Sequence, residues 1–379
     1  MAELTSRRTF LKHASLGAAA VGAVAPAASA WRPYSPRKIR VGIAGYGVCK
    51  FGAKFSFQHH PNVEVVAVSD LFPDRRKALA QACKCTKTYP SLEEMVKDDA
   101  IEAIFVATDA PSHARHSIEV LKHGKHVACA VPAVFESLEE ADRLLEAVKT
   151  SGLNYMMFET SCYRPDLFAM RRLFEAGALG KLVYSEGEYY HNACSALASY
   201  KDWRIGLPPQ WYPTHSNAYY VGVTGRSFTE VSCMGMPSHR AELQPENNRY
   251  KNPFGTEIAL FRTAEGGAAR MAVSWDSPGH EGEVGRIRGQ RGAVTGTRYQ
   301  GIEEQLPDIK KPPLPAGVQP GGHGGSHGYL MHEFVLSILE ERKPLIDVAW
   351  ALNLSVPGIV AHQSALKGGE LMKIPQYQM

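Results

Sequence analysis

Between residues 186 and 215 the chain gathers side chains that can bind a polyhydroxylated ligand and move its protons. Glu186, Glu188, Tyr189, Tyr190 and His191 are followed by Trp203-Arg204 and then by Tyr212-Pro213-Thr214-His215. Aromatic faces cover the apolar side of a sugar ring, while Arg, His and Tyr supply hydrogen bonds and proton transfer. The same tyrosines also suit an interface between packed layers, their hydroxyls satisfied there. A second group suits a nucleotide. Gly45-Tyr46-Gly47 sits between an apolar run (Ile39, Val41, Ile43) and a helix-compatible segment, and a second apolar run, Val63 to Val68, closes on Asp70. In such a unit Gly45 permits a tight turn, and Gly47 lets the backbone approach a pyrophosphate at a helix N-terminus. Asp70 then accepts hydrogen bonds from a ribose and repels a phosphate on it, which favours NAD over NADP. The third glycine of G-x-G-x-x-G is absent, because position 50 is Lys50 and Gly52 follows two residues on.

These groups need a scaffold, and the pattern supplies one. Strand-like apolar runs at Ile101–Ala107, Lys125–Ala130 and Asn154–Phe158 alternate with helical segments opened by Ser91 and Ser137, each with Glu three residues later. Repeated strand–helix units predict a doubly wound parallel sheet, an NAD-binding Rossmann domain over residues 31–160. Ligands bind beyond the carboxyl ends of such strands. That edge collects Thr108, His113, Ala130, Val131 and Thr160 beside Gly45, Tyr46, Gly47 and Asp70 as cofactor-binding candidates. From Pro165 on, short alternating runs separated by Gly and Pro predict a mainly antiparallel, open-faced sheet. With two closing helices, Tyr329–Arg342 and Asp347–Leu366, it forms an α+β domain over 161–379 for substrate and oligomer contacts, and those helices could pack back on the first domain. Residues 306–325 read as a Pro/Gly-rich loop over a cleft or as a linker. His323, His327 and His332 do not share a helical face and have no acid at ligand spacing, so no metal is expected.

At 379 residues and 44% hydrophobic composition the chain is long enough for two cores. Ser6-Arg7-Arg8-Thr9-Phe10-Leu11-Lys12, an alanine-rich stretch and Ala28-Ser29-Ala30 form a twin-arginine export signal over residues 1–30. A periplasmic or secreted protein is therefore expected, with no stable membrane insertion because the apolar run is short. The formal charge of +4 falls to +2 once that segment, with three cations and one acid, is removed. Nothing in that balance calls for nucleic acid. Seven cysteines, an odd and scattered set, read mostly as small buried apolar residues.

The glycine turn, Ala107-Thr108 with His113, Gly124-Lys125-His126-Val127 and the closing helices resemble the Gfo/Idh/MocA oxidoreductases over residues 38 to 375. The resemblance implies a Rossmann domain, bound NAD, and an open sheet that often mediates homo-oligomers. Sugar and inositol dehydrogenases of that family carry Glu-Lys-Pro after the strand that begins at Lys125, and an Asp four residues before the catalytic His. This chain has Ala130-Val131-Pro132, and Trp211 before His215. It is more similar to the NAD-dependent glycosidase branch, of α-N-acetylgalactosaminidase type, at Val131-Pro132-Ala133, Glu159, Cys162-Tyr163, Tyr189, Trp203-Arg204, Tyr212–His215 and Gly322-His323-Gly324-Gly325. In that branch the match to Tyr189 is the base, and matches to Glu159, Arg204, Tyr212, His215 and His323 line the substrate, with Tyr163 carried in the same motif set. Ala130, Thr160 and Ser216-Asn217 depart from the branch pattern. The implied activity is hydrolysis of a sugar glycoside by transient hydride abstraction, elimination, water addition and hydride return. The alternatives are an NAD-dependent sugar dehydrogenase and a non-catalytic sugar-binding or assembly protein.

Overall fold

A strand apolar on both faces can only lie inside a layered sheet, and β4 (Ala103–Val106) is buried at every residue. It belongs to a six-stranded sheet with β1 (Ile39–Ala44), β2 (Val63–Ser69), β3 (Thr88–Tyr89), β5 (His126–Cys129) and β6 (Tyr155–Met157). The computed structural model describes residues 36–194, 197–279 and 281–379. The expected export signal over 1–30 lies outside them. All six strands run parallel in the order β3-β2-β1-β4-β5-β6. Strand order reverses between β1 and β4, which opens a crevice at their carboxyl ends. The capping serines act as the sequence implies: Ser91 accepts from the Glu94 amide and Ser137 from the Glu140 amide. Gly152, at φ 65°, ends the helix Leu138–Ser151.

The second sheet holds eight strands: β7 (Leu182–Tyr190), β8 (Phe228–Pro237), β9 (Phe254–Thr263), β10 (Ala268–Ser274), β11 (Gly282–Gly289), β12 (Gly292–Thr295), β13 (Arg298–Gly301) and β14 (Met372–Lys373). Their order is β13-β12-β11-β7-β10-β9-β8-β14, antiparallel except where β7 meets β10. The fold class read from the sequence is therefore the one observed. The short strands β3, β13 and β14 were not legible, because two to four residues carry too little alternation. Along β9 buried residues alternate with more exposed ones, so one face is packed and the other open. The open face carries exposed Met234, Leu260 and Val284 beside pairs of Arg270 and Arg286 with Glu186 and Glu188.

The helix Val348–Leu366 is buried on nearly every side and forms a wall shared by both sheets. Its Ser355 hydroxyl accepts from the Ala133 amide beyond β5, while its Ser364 hydroxyl accepts from the Cys233 amide of β8. Between this wall and the second sheet runs the segment 209–217. Glycines seat it from both sides: a Cβ on Gly358 would overlap Gln210 O, and one on Gly187 would overlap Ser216 O. Gly285, opposite Gly187 across β7 and β11, makes room for the Tyr219 ring in the same way. Gly187→Ala is therefore expected to destabilise the protein by about 1–3 kcal/mol. Thermal unfolding would show it as a lowered Tm, and an unchanged Tm would mean that the segment does not rest on the sheet.

Candidate active site

The crevice edge of the first sheet is built for a dinucleotide. Gly45, at φ +97°, lies so close to the Ala107 carbonyl and Thr108 amide that no side chain fits, which brings the turn onto the end of β4. Gly47, at φ +61°, faces open space. Lys50 takes a left-handed conformation before the short helix Phe51–Lys54, and a Cβ on Gly52 would overlap Gly45 O. The close-packing role of the missing third glycine is thus filled two residues later. Asp70 accepts from the Tyr46 amide at 2.8 Å and the Phe72 amide at 2.9 Å, tying the turn to β2. A carboxylate has about four acceptor positions, so it retains capacity for a ribose. Thr160, at the end of β6, has a buried hydroxyl without a partner among the described residues, and a ligand amide could use it. These residues fit NAD.

Across the crevice lie the aromatic and titratable groups. Tyr189, on β7, has ring centroids of His215 at 4.6 Å, Trp275 at 5.8 Å, and Tyr212 at 6.3 Å. Arg204 stands over the Trp203 ring at 4.3 Å and the Tyr212 ring at 5.8 Å. The one hydrogen bond of its guanidinium among the described residues is to Cys194 Sγ. His215 Nδ1 lies 2.7 Å from Glu159 Oε1, and both side chains are buried. Burial alone would lower the imidazole, but Glu159 and Glu283 beside it raise it to about 9. Burial pushes the Tyr212 phenol up to about 12 against the pull of Arg204, and raises Tyr189 well above its ordinary value. At neutral pH the pocket therefore presents protonated His215, Tyr189 and Tyr212. The Tyr189 and Tyr212 hydroxyls have no protein partner among the described residues and are left for a ligand.

Some expectations need correction. The run Glu186–His191 is split by the strand pleat, so Glu186 and Glu188 turn to the open face while Tyr189 turns inward. Tyr163 does not join the pocket: its ring stacks on Tyr329 at 6.0 Å and receives Arg171 on its face. His113 sets Nδ1 2.8 Å from Pro132 O and Nε2 3.3 Å from Thr108 O, and the Thr108 hydroxyl meets His116 Nδ1. These groups brace the strand ends instead of offering ring or hydroxyl to a cofactor. Ala130 and Val131 are buried at the end of β5, the Ala130 amide donating to Val106 O. His323 lies in the Gly321–Gly325 turn with Nδ1 2.7 Å from His327 Nε2, against the Phe51 ring beside the glycine turn. His332 pairs elsewhere, with His60 at 3.0 Å. Sequence reasoning missed Glu283 and Ser161. The signal for Glu283 was a carboxylate in the inward register of β11, alongside Gly285 and Ile287.

The parallel sheet with its glycine turn has a direct counterpart among known proteins. Residues 39–159 match the oxidoreductase family with NAD-binding Rossmann fold known as Gfo/Idh/MocA. Over that stretch the chain is similar to this family. It is an NAD-dependent enzyme of the oxidoreductase type. A glycosyl hydrolase family 109 protein of Solibacter usitatus is 26% identical over 98% of this chain and 97% of that protein. One from Bacteroides fragilis is 30% identical, over 44% of this chain and 38% of its own length. A levoglucosan dehydrogenase solved with NADH and levoglucosan shares the fold at a TM-score of 0.72 and 19% identity, over 90% of this chain and 100% of that one. So does a scyllo-inositol dehydrogenase from Lactobacillus casei solved with NAD(H) and scyllo-inositol, at a TM-score of 0.68 and 15% identity, over 89% and 99%.

The buried histidines set a pH window. Burial lowers His60 to about 3, and His116 and His327 to about 4, so their contribution is present above the unfolded value near 6.5 and is lost as pH falls from there. His215 is raised to about 9, so its contribution is full below 6.5 and is lost as pH rises through 9. Stability is expected to peak near pH 6.5 and to fall on either side by roughly 1.4 kcal/mol per pH unit for each proton exchanged. Chemical denaturation at stepped pH checks this, and a flat profile from pH 4 to 9 contradicts it.

Proposed function

We propose that this enzyme hydrolyses a sugar glycoside with no net oxidation. The observation that supports it most is the buried Val131 at the end of β5, where sugar dehydrogenases of this family place a proton-moving lysine. Proton transfer then falls to Tyr189 and His215 across the crevice. NAD, held at Gly45, Gly47, Asp70 and Thr160, would supply a reversible hydride acceptor, and a ring carbon at the ketone level would acidify the C–H beside it. Tyr189 serves as the base only as its phenolate, having first given its own proton to solvent; that phenolate takes the proton from the carbon through Oη, and the charge of Arg204 favours it against burial. Arg204 lies over the ring of Tyr212 and favours anionic oxygen in the pocket. His215 Nε2, protonated at neutral pH, gives its proton to the departing oxygen. Tyr212 offers an aromatic face for the sugar ring, while Trp203, buried, backs Arg204. Similarity along nearly the whole chain to a glycosyl hydrolase family 109 protein supports the same reading. Export through the residues 1–30 and self-association through the open face of the second sheet belong to this proposal. Cleavage after Ala30 in exported material and a dimer or larger species in solution would test them.

The decisive experiment incubates the purified protein with a panel of aryl glycosides in heavy water. Aglycone release with deuterium at the second sugar carbon and no net NADH is the expected result. Steady NADH formation would overturn it in favour of a sugar dehydrogenase. Tyr189→Phe is expected to lower kcat by roughly 10²–10⁴-fold while cofactor binding persists, and undiminished turnover would remove Tyr189 from the reaction.

A further inference from the structure

Three acceptor oxygens surround Nδ1 of His215: Glu159 Oε1 at 2.7 Å, Ser161 Oγ at 3.1 Å and Glu283 Oε1 at 3.9 Å. Ser161 has one proton, and its oxygen lies 2.6 Å from Glu283 Oε2, so that proton goes to Glu283. The Ser161 oxygen must then turn a lone pair to the imidazole. With Ser161 committed in this way, Nδ1 meets acceptors alone, and its proton has no alternative site. Glu283 is itself anchored, with Arg164 Nε 3.5 Å from its Oε2 and 3.5 Å from Asp166 Oδ1. It is buried on β11 directly opposite Tyr189 on β7. Nε2 of His215 has no protein partner among the described residues, and the ring packs against Tyr189 at 4.6 Å.

We propose that Glu283 is a positioning residue: through Ser161, and together with Glu159, it locks one proton on Nδ1 of His215 and leaves Nε2 as the atom that exchanges a proton with a bound ligand. The locking stands on the unliganded geometry, and the exchange with a glycoside rests on the proposed reaction. In that reaction the sugar–oxygen bond breaks with its electron pair going to the departing oxygen, which takes the Nε2 proton. Nε2 keeps the N–H pair and is reprotonated as the next water adds. Every charged or titratable group facing the ring enters the balance. Glu159 follows β6 and Glu283 lies on β11. Arg164 precedes the helix Pro165–Glu175, Tyr189 and Tyr212 lie on the crevice side, and His323 lies in its glycine turn. The two carboxylates outweigh burial and Arg164, so Nε2 is a proton donor at neutral pH, not a base. With one carboxylate removed the ring would titrate nearer its ordinary value.

The test is a pH titration of the full chain labelled with ¹⁵N-histidine, with His215→Asn to assign the signal. The wild type is expected to titrate at Nε2 near 9 with Nδ1 protonated throughout. Glu283→Gln should lower that midpoint by about 1–3 units, Ser161→Ala should admit the other neutral tautomer, and Glu283→Asp should restore most of the wild-type behaviour. An unmoved midpoint in Glu283→Gln, with circular dichroism unchanged, overturns the proposal. A moved midpoint in Glu283→Gln that Glu283→Asp fails to restore reduces Glu283 to a packing role and overturns it as well. The titration needs no substrate, so the two readings separate. A shifted midpoint in a protein that cleaves no glycoside keeps the positioning role and rejects the reaction, whereas glycoside cleavage with an unshifted midpoint and an unshifted kcat–pH profile does the reverse.

Discussion

A charged imidazole removed from water is tolerable only when its partners are fixed, since the desolvation cost of the ions is otherwise not recovered. The pair of His215 and Glu159 imposes that condition on this chain. Glu159 comes from the end of β6, Glu283 from β11 and Ser161 from the turn after Glu159, while His215 stands on a segment wedged between a helix and a sheet. Two sheets and their shared wall must therefore be held in register for one ring nitrogen to be satisfied. The glycines at 187, 285 and 358 make this possible, because each removes a side chain where backbone or ring must approach closely.

The cofactor edge solves a related problem with less charge. Its turn packs so tightly on β4 that Gly45 and Gly52 serve as contact surfaces, leaving Gly47 alone facing the crevice. Asp70 spends part of its capacity holding that turn through the Tyr46 amide. Recognition of the cofactor and rigidity of the loop thus share one carboxylate. Across the crevice the protein offers acids and aromatic faces, while the end of β5 presents buried Val131. Fold alone does not decide between oxidation and hydrolysis, and the proposed hydrolysis draws on the pocket chemistry instead.

Much of this was legible in the chain itself. The parallel sheet followed from apolar runs with turns between them, the caps from Ser91 and Ser137, and the dinucleotide edge from Gly45, Gly47 and Asp70. These are local signals, carried by residues within one turn or one strand of each other. Tyr189, His215 and Glu159 were legible as chemistry-bearing types, and it was the family resemblance, not their spacing, that put them in one pocket. What misled was also local: a polar cluster at 186–191 looked like one surface until the pleat of β7 sent alternate residues to opposite faces.

The sequence by itself therefore determined the strand–helix alternation, the cofactor turn and the kinds of side chain available, because each depends on spacing along a few residues. Only the tertiary structure decided which of them meet. Gly52 replaces a glycine expected at 50 because the chain can bulge through a left-handed Lys50 and still restore the contact with Gly45. Glu283 reaches His215 from 68 residues further along the sequence, and Tyr163 turns away from its neighbour Ser161. Pairing across a sheet and burial of charge are long-range events, set by total packing and electrostatic balance, and no short stretch of residues carries them.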